Sequence, residues 1–508
     1  MLSLKSIYQN TTAKICYHAP ALFLLFVAFI ISIFIFDDYG ISWDEPMQQK
    51  VGKYTYDYVK DGSDSLAHFK DRVYGPAYET TLIGIQKSLS IQSFQGIYRS
   101  RHLCNHLFFL IGLCFLYLSG FALYNQRIPA LFITLLVFTS PRIFGHSFIN
   151  SKDIPFLVLY IVSTYYVIMY FKKPDYRRII FASISFAVLV CVRIPGILLP
   201  LLFGTFLIFK FIQKKESFYI KHLLLSIAIT LVGIYAFWPY LWENPILRFA
   251  ESFKTMSAFP WEDFVLFEGN YYPGPRLPHH YLFKWFFISI PTFYVIIVMT
   301  GISSFIYLFF KYLHRFFNKD INVLFLFLSV LGPILAVLMF RSVVYDDWRH
   351  LYFVYPSLLL LSVWSLSEIL KKEKYKTIFF AFGFMSVSYS LYQIVKLHPY
   401  QQTYFNAFAG KNPSENFDAD YWGISYKQAL EFISTNYPYS KVCVAHNPGI
   451  YNYNFLNEAV KTKIKLVDYT QMEYFVTTHR FDKKLFPEMN IAHEEFRNGV
   501  KVFTIYKK

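Results

Sequence analysis

Apolar runs of membrane-crossing length recur along this chain, and short basic clusters separate them. About eleven are expected, near 19–36, 105–124, 128–141, 156–171, 179–193, 195–210, 222–240, 283–310, 321–340, 351–368 and 377–396. A straight span needs ~20 apolar residues to cross a hydrocarbon core of ~30 Å. The runs at 128–141 and 179–193 fall short of that, so they are expected to be tilted, shielded by neighbours or re-entrant. Only 16% of the 508 residues are charged, against ~25% in an ordinary soluble globule. The chain therefore predicts an α-helical polytopic membrane protein. Lys5 and Lys14 precede the first run as they would in a signal peptide, but no small-residue cleavage site follows, so a retained anchor is expected.

The net charge of +16 would suit a nucleic-acid partner if it formed one patch. Instead the basic residues fill short gaps between apolar runs. Lys172, Lys173, Arg177 and Arg178 form one cluster, and Lys210, Lys214, Lys215 and Lys221 a second. Lys311, Arg315 and Lys319 form a third, and Lys371, Lys372, Lys374 and Lys376 a fourth. With eleven spans and an internal amino terminus, all four fall on the cytoplasmic side. The alternate short loops hold only Arg142 with Lys152, Arg193, and Arg341 with Arg349. The positive-inside rule favours this register. No nucleic-acid partner is expected. Loops 37–104, 141–155, 241–282 and 341–350, together with 397–508, are then extracytoplasmic.

The last segment differs in composition. Tyr426–Asn436 reads as an amphipathic helix, and Val442–Ala445, Ile464–Val467, Tyr474–Thr477 and Val500–Tyr506 read as short strands. The expected division is a transmembrane domain over 1–396 and a small α/β domain over 397–508. Five cysteines (Cys16, Cys104, Cys114, Cys191 and Cys443) show neither metal spacing nor a redox motif. No phosphate-cradling Gly-rich loop is present, which disfavours ATP-driven transport and nucleotide-sugar chemistry.

Candidate chemistry gathers at the outer ends of the runs. Ser42-Trp43-Asp44-Glu45-Pro46 follows the first run directly. Ser-x-x-Glu is a capping box, and Val51, Tyr54 and Tyr58 have helical spacing, so an interfacial helix is expected here. Capping by one acid leaves the other for chemistry. "SPRIFGHSFINSKDIPF" brings Arg142, His146, Lys152 and Asp153 to a second loop. Asp153 precedes Ile154-Pro155 and suits a helix cap or a site equally. "RSVVYDDWRHLYF" carries Asp346, Asp347, Arg349 and His350, where guanidinium and imidazole suit a phosphate and Trp348 and Tyr352 suit the membrane interface. The aromatics around Trp238, Tyr240, Trp242 and "FPWEDF" read as interface anchors. His279 and His280 with Glu243 or Glu262 lack the spacing of a metal site.

This arrangement resembles the GT-C membrane glycosyltransferases, particularly protein O-mannosyltransferases and lipid A aminoarabinose transferases. Trp43-Asp44-Glu45 is similar to their aromatic-Asp-Glu first loop. "SPRIFGHSFINSKDIPF", "YDDWRHLYFVYP" and "HPYQQTYFNAFAG…NFDADYWGISYKQAL" look like segments of bacterial family-39-like members. The inserted carbohydrate-binding-like domain of the O-mannosyltransferases is absent. The resemblance implies an inverting transfer of a hexosyl or pentosyl unit from a polyprenyl-phosphate donor to a lipid, glycan or protein acceptor. The place would be the outer face of a bacterial cytoplasmic membrane, among membrane lipids. It further implies Asp44 as general base, Glu45 shaping its field or orienting the acceptor, and Asp153 positioning the acceptor or Asp44's partner. Arg349 and His350, with Arg142 and Lys152, would neutralise the donor phosphate, and Trp43, His146 and Asp347 would line the acceptor or sugar pocket. No metal-ligating set and no certain cofactor is named, and a divalent ion stays open. A flippase of lipid-linked glycans would hold charges near the bilayer midplane and often shows two similar halves. A polysaccharide polymerase or ligase shares much of the chemistry and is the nearer alternative.

Overall fold

The computed structural model describes residues 4–257, 259, 261–481 and 488–508, with side chains described from residue 17 onward. Cys16 and the flanking Lys5 and Lys14 therefore lie outside the described side chains. Among the described residues, nine helices are long and apolar enough to cross a membrane. They include Phe94–Tyr124, Asp153–Lys172, Ile194–Lys214 and Arg349–Ile369. Arg127–Phe138 and Pro141–Ile149 together supply a tenth, bent by 66° at the break. The chain is a multi-pass membrane protein.

Proline accounts for that bend. Pro141 opens its helix at a position where a missing N–H costs nothing, and Ser140 before it is extended, with φ −74° and ψ 108°. The same device divides the run expected at 283–310. Tyr281–Ser289 and Thr292–Lys311 are separate helices, joined through extended Ile290 and Pro291. The run expected at 179–193 is the 15-residue helix Tyr176–Val190. At ~1.5 Å per residue it falls short of the hydrocarbon thickness. It packs beside Asp153–Lys172 and Ser217–Phe237.

Loops carrying basic clusters meet at one end of the bundle. Lys210 Nζ lies 3.5 Å from the Phe317 carbonyl, and Arg315 pairs with Glu368 at 2.9 Å. The acidic loops gather at the other end, with the carboxyl-terminal segment folded over them. The loop expected to be an interfacial segment forms the helix Glu45–Asp61, which crosses Ala77–Ser88 closely at Gly52. A Cβ there would sit 2.5 Å from the Glu79 carbonyl oxygen.

In the 241–282 loop, β1 (Phe264–Phe267) and β2 (Asn270–Pro273) form an antiparallel hairpin. The carboxyl-terminal sheet contains β3 (Ser440–Val444), β4 (Ile464–Leu466), β5 (Tyr474–Thr477), β6 (Asn490–Arg497) and β7 (Val500–Lys507). Its order is β4-β3-β5-β7-β6, with β3 parallel to β4 and β5 and the other pairs antiparallel. All four expected strands are present; β6 and the β1–β2 hairpin were not expected. Tyr426, Ala429, Leu430 and Ile433 recur at helical spacing on Tyr426–Asn436 and bury one face with Val442, Val476 and Ile505.

Candidate active site

Asp44 stands just before Glu45–Asp61, on a loop that the carboxyl-terminal segment grips. Trp43 N–H donates to the Trp422 carbonyl at 3.0 Å. Asn452 bonds both sides of Ile41, accepting from its N–H at 2.8 Å and donating to its carbonyl at 2.9 Å. Gly40 permits this approach, because a Cβ there would run into the Ile424 carbonyl oxygen.

Only half of the expected capping box forms. Glu45 Oε2 accepts from the Ser42 N–H at 2.8 Å, while the Ser42 hydroxyl donates to the Ile149 carbonyl instead. The other oxygen of Glu45 lies 3.1 Å from His102 Nε2 in a fully buried pair. Glu45 thus ties its helix to Phe94–Tyr124 and faces away from Asp44's partners.

Asp44 belongs to a chain of ion pairs drawn from five parts of the sequence. Its Oδ2 receives Lys152 Nζ at 2.9 Å and has Arg349 Nη1 at 3.8 Å. The same Arg349 nitrogen reaches Asp153 Oδ2 at 3.0 Å, and Arg193 pairs with the other Asp153 oxygen. Arg349 Nη2 then meets Asp346 at 3.3 Å, and Arg480 meets Asp346 at 3.0 Å. Three carboxylates face four cations, so the network carries one unbalanced positive charge. The helix Asp153–Lys172 is not capped by the Asp153 side chain: Asn150 Oδ1 accepts the Asp153 N–H at 2.8 Å, leaving the carboxylate for the two arginines.

A second buried cluster adjoins it. Arg142 pairs with Asp347 at 3.3 Å, and Asp347 also accepts from Tyr352 at 2.7 Å and Tyr421 at 2.6 Å. His146 lies 3.0 Å from the Tyr421 hydroxyl and 3.3 Å from Asn150, which donates to Asp153 at 2.9 Å, joining the clusters. Asp346 and Asp347 take successive left-handed conformations, φ 56° and 65°. Aspartate tolerates that region better than most residues, yet the pair stores strain on the order of 1–3 kcal/mol each.

The electrostatics follow from burial opposed by charge. Burial alone would lift the Asp44 carboxyl, but Lys152 and Arg349 outweigh it and bring it down to about 2. A quarter of the Asp44 side chain stays exposed (25%), so the anion is held yet reachable. Burial lowers Lys152 to about 8 despite Asp44, with Arg349 and Arg193 adding repulsion. Arg193 falls to about 10 by burial and by its proximity to Arg349. Burial raises Asp347 against the pull of Arg142. Several buried donors and acceptors have no hydrogen-bond partner among the described residues, including Arg349 Nε, Arg142 Nη2, His350 Nδ1 and Asp347 Oδ1. Such groups are costly unless something else meets them. A cleft of about 80 Å³, walled by Tyr74, Lys152, Arg193, Tyr345 and His350, opens beside the network.

Residues 88–240 match the family described as dolichyl-phosphate-mannose-protein mannosyltransferase. No curated protein matches the chain's sequence. Among solved structures, ArnT from Cupriavidus metallidurans in the apo state aligns over 98% of this chain and 98% of its own, with 11% identity and a TM-score of 0.50. The chain has the GT-C fold. ArnT bound to undecaprenyl phosphate aligns over 97% of this chain and 98% of its own, with 11% identity and a TM-score of 0.49.

Within this GT-C fold, four of the expected residues (Asp44, Lys152, Asp153 and Arg349) are in one network. Arg142, His146 and Asp347 form the adjoining cluster, and His350 lines the cleft. Trp43 lies under the Arg480 guanidinium, 5.0 Å from ring centre to Cζ. Arg193, Arg480, Asn150 and Tyr421 were not among the expected site residues. His280 instead pairs with Glu268 at 3.0 Å, and Glu243 with Arg248 at 2.9 Å. Among the described residues, no three His, Cys, Asp or Glu side chains gather as a metal-ligand set.

Proposed function

We propose that this chain is an inverting glycosyltransferase that moves a sugar from a polyprenyl-phosphate donor to an acceptor hydroxyl. The reaction would take place at the outer face of a bacterial cytoplasmic membrane. The observation that carries this reading is Asp44: an ionised, partly exposed carboxylate set among cations whose charge it does not fully balance. The family matching residues 88–240 is described by a dolichyl-phosphate sugar, a donor of the same chemical kind.

In this reading the acceptor oxygen attacks the anomeric carbon as its bond to the phosphate oxygen breaks. The phosphate departs with the electron pair of that bond, and the acceptor proton passes to Asp44. Lys152 and Arg349, with Arg193 beside them, receive the growing phosphate charge. Asp153 sets the position of Arg349, and Arg142 acts through Asp347 on Tyr421 and the carboxyl-terminal segment. Glu45 serves as the anchor of the Asp44 loop. Residues 1–396 supply the reaction centre and 397–508 close it.

Membranes with and without the protein, incubated with a panel of polyprenyl-phosphate sugars, test the proposal. Protein-dependent release of polyprenyl phosphate is expected, with a loss of about 100-fold or more in Asp44→Asn at equal expression. Full turnover by that variant would remove Asp44 from the reaction.

A further inference from the structure

A pocket of about 560 Å³ opens between the carboxyl-terminal sheet and the segment Asn412–Tyr421. Small-molecule sites commonly span ~300–1,000 Å³. Arg480 lines this pocket and also contacts Asp346 and Trp43, so one side chain is the partition between it and the Asp44 network. We infer that this pocket seats a neutral saccharide unit of the acceptor, a reading that rests on the proposed transfer.

The lining distinguishes a neutral sugar from an anion. Its charged groups are already engaged by the protein. Lys501 Nζ pairs with Glu494 at 2.5 Å, and Arg480 is held by Asp346 and the Tyr421 carbonyl. Asp418 accepts the Leu266 N–H at 2.9 Å, and Asp420 accepts the Ser425 N–H at 2.9 Å. Glu415 Oε1 accepts from the Asn412 amide at 3.1 Å, and the remaining surface is amide and hydroxyl, from Asn416 and Ser414. Ser414 Oγ accepts the Lys501 N–H at 3.2 Å and keeps its own O–H to donate. Groups of this kind, donor and acceptor at once, match vicinal hydroxyls.

Phe496 completes the reading. It is 49% exposed on the edge strand β6, at a register shift between Glu495 and Phe496. A bulge re-aims a side chain, and here it sets a half-exposed ring, with Lys501 Nζ 5.6 Å from its centre, at a polar pocket. The C–H face of a pyranose packs on such a ring while its hydroxyls turn to the amides. An exposed phenyl ring has no comparable use for a phosphate.

Saturation-transfer NMR on the full chain in lipid nanodiscs tests this. The probes are methyl glycosides of glucose, galactose, mannose, N-acetylglucosamine and xylose. Transfer to the ring protons of at least one glycoside is expected. It should fall about tenfold in Phe496→Ala, as for the loss of one good aromatic contact, and return in Phe496→Trp. Inorganic phosphate should not displace it. Absence of transfer to every glycoside, equal transfer in Phe496→Ala, or displacement by phosphate would each overturn the inference. Because the readout is binding, such a result leaves donor turnover standing, and a failure of Asp44-dependent turnover leaves the binding result standing.

Discussion

Asp44 and Lys152 are 2.9 Å apart, yet their acidities are displaced toward different tasks. With its carboxyl near 2, Asp44 is ionised at every pH at which a membrane enzyme works. In the proposed transfer it is a weak base before reaction, and it would take the proton only as the acceptor oxygen bonds to carbon and becomes acidic. Lys152, near 8, loses its charge as pH rises through that value, and under the proposed function one cation would then be lost from the leaving phosphate. Turnover should therefore fall on the alkaline side with a midpoint near pH 8. Lys152→Arg should move that fall upward by about 1 unit or more, because guanidinium stays protonated. A profile of polyprenyl phosphate release from about pH 6 to about pH 10 checks both. The sequence already marked most of these cations. Of the five basic residues that break the positive-inside pattern in the short loops, Arg142, Lys152, Arg193 and Arg349 lie in the two clusters. A charge retained where topology disfavours it signals a task, and that signal would have found Arg193. Arg480 gave no such signal, since nothing in the carboxyl-terminal sequence marks an arginine that reaches back across 134 residues to Asp346.

At the scale of elements, close backbone contacts hold the site to its supports. Gly40→Ala should push the first loop off Ile424 and Asn452, destabilising the protein by about 1–3 kcal/mol as other overpacking changes do. A lower melting temperature together with reduced donor turnover is the expected outcome. An unchanged melt would show that the loop has room to shift. Helix and strand positions were legible wherever periodicity was strong, as on Tyr426–Asn436. The break at Ile290-Pro291 was legible in principle from its proline, but the apolar run on either side concealed it. β6 was missed because three consecutive polar residues, His493, Glu494 and Glu495, interrupt the alternation that marks a strand.

For the whole molecule, the membrane helices do not complete the site by themselves. Trp422 supplies a backbone acceptor to Trp43, Tyr421 a hydroxyl to Asp347, and Arg480 a cation to Asp346. A chain ending after residue 396 should insert into membranes and yet show no donor turnover above background; appreciable turnover would confine the chemistry to the helices. The bracket that Asn452 forms around Ile41 also has a consequence for biosynthesis. The first loop emerges from the ribosome hundreds of residues before the segment that clasps it. A nascent chain thus carries its carboxylate without that clasp through every insertion step, and under the proposed function it would become active only once its final stretch has folded. Synthesis itself would then act as the safety catch, sparing the proposed lipid donor from half-made copies.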